Sequence, residues 1–139
     1  MSVKRITRLS DDDAFAEYLA LRFADNDGKP ICDRCGSGNP YLISTRRKWK
    51  CSNKACQRHF SATTDTPFAS RKLGYRDILI AIALFAKAPK GVSAIRLSHE
   101  LEVSYKTAFV MLHKIREAVG VEQHRHVLSG SLEIDGAYF

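Results

Sequence analysis

Four cysteines are the residues of this chain whose type and spacing most directly suggest chemistry. Cys32, Cys35, Cys51 and Cys56 form the pattern C-x2-C-x15-C-x4-C, and they are all the cysteines that the sequence contains. Two residues between the first pair allow a tight turn to aim both thiolates at one point, and the fifteen-residue insert is long enough for a returning β-hairpin. Four converging thiolates are a ligand set of tetrahedral structural zinc. The pattern therefore predicts a zinc ribbon in which Zn²⁺ is architectural and has no open position for catalysis.

His59 is an alternative ligand, because Cys56-x2-His59 also has a metal-binding spacing. We predict Cys56 as the ligand, since it completes a four-thiolate site and leaves His59 on a following strand. The N-terminus lacks the apolar core of a secretory signal, and the longest apolar run, ILIAIALFA (78–86), is too short to cross a bilayer. We therefore expect a cytoplasmic protein without membrane association, whose cysteines bind metal rather than form disulfides.

The basic residues of the chain are concentrated in the same segment as the cysteines. The net charge is +7, and residues 34–72 carry nine Lys or Arg against a single acid, Asp65. Such a concentration favours a surface that binds a polyanion, although a well-solvated basic face is an alternative. We predict phosphate contacts, giving affinity rather than sequence choice, for the hairpin cations Arg46, Arg47, Lys48, Lys50, Lys54 and Arg58. Trp49 lies among them. Stacking on a sugar or base is one role for this ring, but so small a ribbon also needs a core aromatic, and we expect Trp49 in the core.

Helices and short strands must position these residues. A helix is predicted over about 10–24, with Ser10 as its N-cap and three aspartates in its first turn. Stretches 41–45 and 47–51 have the composition of strands, and 58–63 could be a third. The N-terminal helix is expected to pack and to carry no site. The fold class is therefore α+β, a small zinc ribbon combined with helices.

The segment 74–120 is predicted to be entirely helical, with a helix over about 76–88, a break at PKG (89–91) and two shorter helices. Ser93 and Ser104 are the expected N-caps of those two helices, which have the pattern of a helix-turn-helix. An inward stripe repeats at helical spacing through Ala108, Met111, Leu112, Ile115 and Val119. The N-terminal end of a recognition helix meets DNA bases, so the candidate DNA contacts here are Ser104, Tyr105, Lys106 and Thr107, with Lys114 for a phosphate. A helical hairpin used for packing or dimerisation is the alternative.

Three stretches in this order carry a family resemblance: CSNKACQRHFSATTDTPF, then GVSAIRLSHELEVSYKTAFVMLHKIR, then GSLEIDGAYF. From about Phe15 onward the chain resembles the N-terminal half of bacterial insertion-sequence transposases, in the zinc-ribbon family whose type element is numbered fifteen ninety-five. The resemblance implies a DNA-binding portion that recognises the ends of a mobile element for DNA transposition. It also implies double-stranded DNA as partner and a homo-oligomer, because transposases act on paired ends.

The last stretch resembles the opening strand of an RNase H-like catalytic domain. In that family the aspartate matching Asp135 is the first ligand of a DDE triad that holds two Mg²⁺. The other two carboxylates would lie past residue 139, so the chain alone is expected to be inactive. The implied domains are 1–30 (N-terminal helix and linker), 31–72 (zinc ribbon), 73–120 (helix-turn-helix) and 121–139 (linker and first strand of a truncated catalytic domain).

Two positions depart from the family pattern. Gly136 stands where an acidic residue commonly follows the catalytic aspartate, and Asp65 stands where the loop after the ribbon usually has glycine. Asp-Gly also favours a tight hairpin turn, so a metal-free turn is the alternative for EIDGAYF. Alternatives for the whole chain are a stand-alone DNA-binding regulator or inhibitor derived from a truncated transposase, and a module that docks an acidic protein.

Overall fold

A computed structural model describes residues 2–70 and 72–123 of the chain, with side-chain surroundings through residue 120, residue 71 excepted. The helices are α1 (Val3–Ile6), α2 (Asp11–Arg22), α3 (Tyr75–Lys87), α4 (Ala94–Glu100) and α5 (Tyr105–Gln123). The strands are β1 (Tyr41–Ile43), β2 (Lys48–Lys50) and β3 (His59–Ser61). The predicted mixture of helices with a small sheet is confirmed. The predicted final strand and Asp135 lie outside the described residues.

The three strands form one antiparallel sheet in the order β1-β2-β3. Leu42 pairs with Trp49, and Trp49 pairs with Phe60 in the next strand. Trp49 is 4% exposed and Phe60 is 3% exposed, so this central pair faces the core. The expected core role of Trp49 is confirmed. Its neighbours in β2, Lys48 and Lys50, are directed to the opposite face by the alternation of a strand.

Helix α2 begins as its sequence predicts. The Ser10 Oγ accepts a hydrogen bond from the Asp13 N–H at 3.1 Å, and three aspartates occupy the first turn, where the helix dipole favours negative charge. The preceding helix α1 was not predicted. Four residues are too few for a periodic pattern or for independent stability, and α1 is held instead by packing of the fully buried Ile6 near α3.

A cluster of aromatic rings joins the sheet to the helices. The ring of Phe15 in α2 stacks on Trp49 at 5.9 Å between centroids and also contacts Tyr75 at 4.9 Å. Tyr18 meets the same Tyr75 ring at 5.1 Å. Rings at these separations stabilise each other beyond the area they bury. Helix α2 therefore lies between the ribbon and the first residue of α3 and fixes one against the other.

The helices of the segment 74–120 start where the sequence predicts, but the last of them is longer than predicted. The break before α4 contains Gly91 at φ 80°, and the Ser93 and Ser104 hydroxyls cap α4 and α5 as expected. The second of the two helices predicted to be short, α5, has 19 residues and is longer than the 13-residue α3. It continues through Gly120, whose cost in a helix of about 1 kcal/mol is too small to end it.

The predicted inward stripe of α5 is correct for four of its five members. Ala108, Met111, Leu112 and Ile115 are 5% exposed or less. Val119 is 42% exposed, so its assignment to the core was wrong. Among the residues of α5 whose surroundings the structure describes, Ile115 is the last buried one, so the turn that follows it does not contribute a buried side chain to the core. Over the described stretches, no helix has the length and apolar character needed to span a membrane.

Candidate zinc site and nucleic-acid interface

The four cysteine sulfurs converge on one point between the two turns of the ribbon. All four Sγ atoms lie within 4.8 Å of one another, with Cys32 to Cys56 at 3.8 Å and Cys35 to Cys51 at 3.4 Å. Tetrahedral zinc with bonds of about 2.3 Å places its sulfurs about 3.8 Å apart, so the donor set fits Zn²⁺ in both chemistry and spacing. The cluster takes one thiolate pair from each end of the hairpin, as the sequence predicts. Four cysteines together in this fold indicate a structural zinc site.

Each cysteine pair sits on a turn whose hydrogen bonds aim the sulfurs. In the first turn, the Gly36 N–H donates to the Cys32 carbonyl at 2.9 Å, and the φ of 70° at Gly36 suits a residue without a side chain. The second turn is organised by Asn53. Its carbonyl accepts from the Cys56 N–H at 3.0 Å, and its side-chain oxygen accepts from the Ala55 N–H at 2.9 Å. This Asx-type turn accommodates the four-residue spacing between Cys51 and Cys56.

His59 is exposed on β3 and is not part of the sulfur cluster. The choice of Cys56 over His59 as the ligand therefore agrees with the geometry. Since the Cα of His59 pairs with Lys50 across the sheet, this histidine belongs to the basic surface of the ribbon and not to its metal centre.

The protonation of the thiols in the metal-free chain differs from one cysteine to the next. Burial raises the pKa of Cys51 to about 12. Burial acts in the same direction on Cys32, but hydrogen bonds from the backbone N–H groups of Cys35 and Arg34 outweigh it and lower the pKa to about 7. The backbone N–H of Arg58 lowers the pKa of Cys56, yet burial and the neighbouring thiols leave it raised. Zinc binding must therefore displace protons from Cys51 and Cys56.

An ion pair joins the two turns that carry the cysteines. The Arg58 guanidinium lies 2.9 Å from the carboxylate of Asp33, whose side chain is 9% exposed, and 3.4 Å from that of Asp65. Burial and a hydrogen bond with Asp65 raise the pKa of Asp33, while the Arg58 charge opposes the rise. Asp65 itself has φ 54°, the left-handed conformation that glycine adopts most easily. Arg58 therefore bonds within the protein and is less available to an external phosphate.

The remaining hairpin cations differ in whether their side chains are bound by other groups of the protein. Arg47 pairs with Asp12 and lies over the Phe15 ring at 5.4 Å from its centroid, so this side chain is attached to α2. Arg46, Lys48 and Lys54 are exposed, and Lys50 is half-buried. Within the described residues no salt bridge engages any of these four.

The predicted DNA contacts on α5 also fall into two groups. Tyr105 is 55% exposed and Lys106 is exposed, both in the first turn of the helix. The Ser104 Oγ accepts from the Thr107 N–H at 3.3 Å, and the two hydroxyls are 2.9 Å apart, so both residues take part in the helix cap. Lys114 is partly buried, and its Nζ donates to the carbonyl of Ala69 at 3.0 Å. It therefore ties α5 to the loop that follows β3.

Two concave surfaces border these cations. The hairpin groove has a volume of about 670 Å³ and is lined by Ser44, Thr45, Arg46, Arg47, Lys48, Ser61, Thr63, Ser70 and Tyr75. The α5 pocket has a volume of about 370 Å³ and is lined by Phe68, Ser70, Lys72, Leu73, Lys106, Thr107, Val110, Met111 and Lys114. Five hydroxyl residues and one lysine of these linings were missed as candidates: Ser44, Thr45, Ser61, Thr63, Ser70 and Lys72. For Ser61, Thr63 and Ser70 the signal would have been the run of serine and threonine that begins in β3, which has no meaning for binding until the fold places it beside the cations.

The fold and the sulfur cluster together define a protein with a four-cysteine zinc ribbon. Residues 9–59 match the family model of the transposase zinc-ribbon domain, the ribbon of the IS1595 family. That span contains α2, all four cysteines and all six hairpin cations. No curated protein and no solved structure matches the chain. The ribbon is thus related to those of transposases, and helices α3–α5 lie outside the matched span.

Proposed function

We propose that this chain is the DNA-binding portion of an insertion-sequence transposase and that it recognises the ends of its mobile element. The observation that carries the proposal is the similarity of residues 9–59 to the transposase zinc-ribbon domain. Two features of the same span agree with it. The sulfurs converge with the spacing that zinc requires, and exposed cations on the hairpin are left without protein partners among the described residues.

In this proposal the ribbon anchors the protein to the DNA backbone. Arg46, Lys48 and Lys54 are long, exposed cations on one small hairpin, which suits contacts to successive phosphates. Such contacts fix register and orientation on the duplex without reading its sequence. Arg47 and Arg58 hold carboxylates of the protein itself, and their first role is to stabilise the hairpin.

Sequence readout is assigned to α4 and α5 acting as a helix-turn-helix. The caps, the packing and the turn of these two helices support this assignment. Ser93 caps α4, Leu97 is fully buried between the helices, and the connecting turn contains Glu102 at φ 52°. The first turn of α5 then presents Tyr105 and Lys106 to solvent, at the end of a recognition helix that meets base edges in the major groove.

Zinc contributes folding and no reaction chemistry in this proposal. Four thiolates fill a tetrahedral site and leave no position for water or substrate, so the ion would hold the two turns and the hairpin between them. Mg²⁺ belongs to the catalytic part of the resemblance. Asp135, the residue proposed to bind it in a complete RNase H-like domain, lies outside the described residues and remains a proposal, as does a homo-oligomer assembled on paired ends.

The test is binding of the zinc-loaded protein to duplex DNA carrying the ends of the source element, with a scrambled duplex as control. We expect tighter binding to the element ends and a log K that falls with log salt by about 0.9 for each phosphate contacted. Equal affinity for both duplexes would remove the recognition part of the proposal. A salt slope near zero would remove DNA binding altogether and favour a protein partner.

Two matched variants separate anchoring from readout. Replacing Arg46 and Lys48 together by glutamine should weaken binding to both duplexes about equally and reduce the salt slope by about 2. Lys106→Gln should weaken binding to the element ends more than to the scrambled duplex, by about tenfold if one base contact of 1–3 kcal/mol is lost. The same pattern in both variants would contradict this division of roles.

A further inference from the structure

The hairpin groove and the α5 pocket share one lining residue, Ser70. Ser70 lies in the loop that leads from β3 to α3, the segment between the ribbon and the helices. Since one residue lines both concavities, both border on Ser70. We call the two concavities together with Ser70 the junction surface; the ribbon cations line one part of it and the first turn of α5 lines the other.

We propose that this surface is one continuous track for the sugar-phosphate backbone of duplex DNA, running from the hairpin across Ser70 to the start of α5. The proposal rests on the proposed function and extends it. It makes the loop between β3 and α3 part of the binding site. It also requires the ribbon and α5 to contact the same stretch of duplex. It also adds Ser44, Thr45, Ser70 and Lys72 to the contacts.

The composition of the track suits phosphate. Six of the residues that line the two concavities are Lys or Arg, three in each lining, and none of the lining residues is acidic. Arg47 and Lys114 are bonded within the protein, which leaves Arg46, Lys48, Lys72 and Lys106 for phosphate. Hydroxyls accompany the cations, and within the described residues no hydrogen bond engages the side chains of Ser44, Thr45 or Ser70. Cations with uncommitted hydroxyl donors are the groups that proteins most often offer to phosphate oxygens.

The loop at the junction is held by hydrogen bonds and by one buried side chain, as a shared track requires. In the loop after β3, the Ser61 N–H donates to the Thr64 Oγ1 at 2.8 Å, and the Thr66 Oγ1 donates to the Thr63 carbonyl at 2.8 Å. Phe68 is 7% exposed and anchors the loop in the core. On the other side, Lys114 reaches from α5 to the carbonyl of Ala69, the residue before Ser70. Both halves of the track are thus fastened to the same loop.

The backbone at Ser70 makes a clean test possible. Its φ of 56° lies in the left-handed region, which Asn and Asp adopt more readily than other residues with side chains. Ser70→Asp therefore places a carboxylate at the centre of the track without straining the loop. Ser70→Asn is the matched control with the same shape and no charge. Ala24→Asp adds the same charge at an exposed position that lines neither concavity.

The experiment measures zinc-loaded wild type and the three variants binding a duplex with the element ends at moderate salt, after their thermal unfolding has been compared. We expect Ser70→Asp to weaken binding by at least tenfold, with Ser70→Asn and Ala24→Asp within about twofold of wild type. A carboxylate that faces phosphates is repelled by them directly. Its negative charge also reduces the number of counterions that the DNA releases when the protein binds.

Three other outcomes would overturn the inference. If Ser70→Asp binds like wild type while the double replacement of Arg46 and Lys48 still weakens binding, the protein binds DNA but the duplex does not cross the junction. If Ser70→Asn is weakened as much as Ser70→Asp, the effect comes from the loop conformation and not from charge. Wild type without measurable duplex affinity would remove the proposed function together with the track.

Discussion

At the scale of single residues, side chains of the same type have different contacts in the ribbon. Among the three hairpin arginines, Arg46 faces solvent, Arg47 pairs with Asp12 and stacks on Phe15, and Arg58 joins Asp33 to Asp65. All three count equally in a net charge. Only the first is free to contact a phosphate at no cost to the protein, because the other two would leave a carboxylate without its partner.

The thiol pKa values predict how zinc affinity depends on pH. In the metal-free chain the pKa values of Cys51 and Cys56 are raised, so both thiols carry protons at neutral pH and zinc must displace them. Each displaced proton makes the affinity rise tenfold per pH unit, so we expect a rise of at least about 100-fold between pH 6 and 7. Below pH 7 the slope steepens, because Cys32, with a pKa of about 7, also becomes protonated.

Competition with a chromophoric chelator at a series of pH values measures this dependence. The control corrects for the proton affinity of the chelator itself. A change of tenfold or less per pH unit would mean that fewer than two protons leave, and that at least one of these thiols is already ionised before zinc arrives.

At the scale of elements, short segments depend on packing more than on their own propensity. Helix α4 has seven residues and α1 has four, fewer than an isolated helix needs in water. Each contributes one fully buried side chain, Leu97 and Ile6. The Ser93 cap sets the start of α4, but contact with α5 keeps it folded.

Two substitutions in α4 test this dependence. Leu97 is fully buried and Ile95, two residues before it, is 61% exposed. We expect Leu97→Ala to lower the free energy of unfolding by about 2–5 kcal/mol, and Ile95→Ala to change it by less than about 0.5 kcal/mol. Urea denaturation of the zinc-loaded protein measures both. Equal effects would show that α4 does not pack on α5 through Leu97.

At the scale of the whole molecule, the ribbon and the helices share one core. Phe15 of α2 touches both Trp49 in the sheet and Tyr75 at the start of α3, and Lys114 of α5 bonds to the loop after β3. The family match extends from α2 into the ribbon, so the helix N-terminal to the cysteines is part of the matched unit. Loss of the zinc site should therefore be felt beyond the ribbon.

Removal of zinc has a direct reporter, because the chain contains one tryptophan and it lies in the sheet. Trp49 is 4% exposed between Phe15 and Phe60, so its emission should shift to longer wavelength when a chelator opens the ribbon. In small sites of this type the binding of structural zinc contributes on the order of 10 kcal/mol to the free energy of folding. The packing of so small a sheet cannot supply that much stability without the metal. We expect duplex affinity to fall as well, since the hairpin cations lose their arrangement.

Fluorescence and DNA binding are measured before chelation, after it, and after zinc is restored. Adding Mg²⁺ in place of zinc is the control, because a hard cation does not bind four thiolates and should restore neither signal. Unchanged Trp49 emission after complete zinc removal would show that the ribbon folds without metal.

Much of the architecture could be predicted from local patterns. The cysteine spacing predicted the ligand cluster, and Ser10, Ser93 and Ser104 predicted three helix starts. The need of a small ribbon for a core aromatic predicted the burial of Trp49. These signals depend on residues within a few positions of each other. The length of α5 and the exposure of Val119 were not predicted correctly, because helical periodicity continues after the neighbours that bury it have ended.

The sequence by itself therefore determined the ligand set, the caps and the excess of positive charge, since each follows from neighbouring residues in the chain. Only the tertiary structure decided which cations are free. Arg47 and Asp12 are 35 residues apart, and Lys114 and Ala69 are 45 apart, so neither contact has a local signal. The meeting of two basic surfaces at Ser70 is of the same kind. It arises because Phe15, Trp49 and Tyr75 pack together and bring the ribbon against the helices.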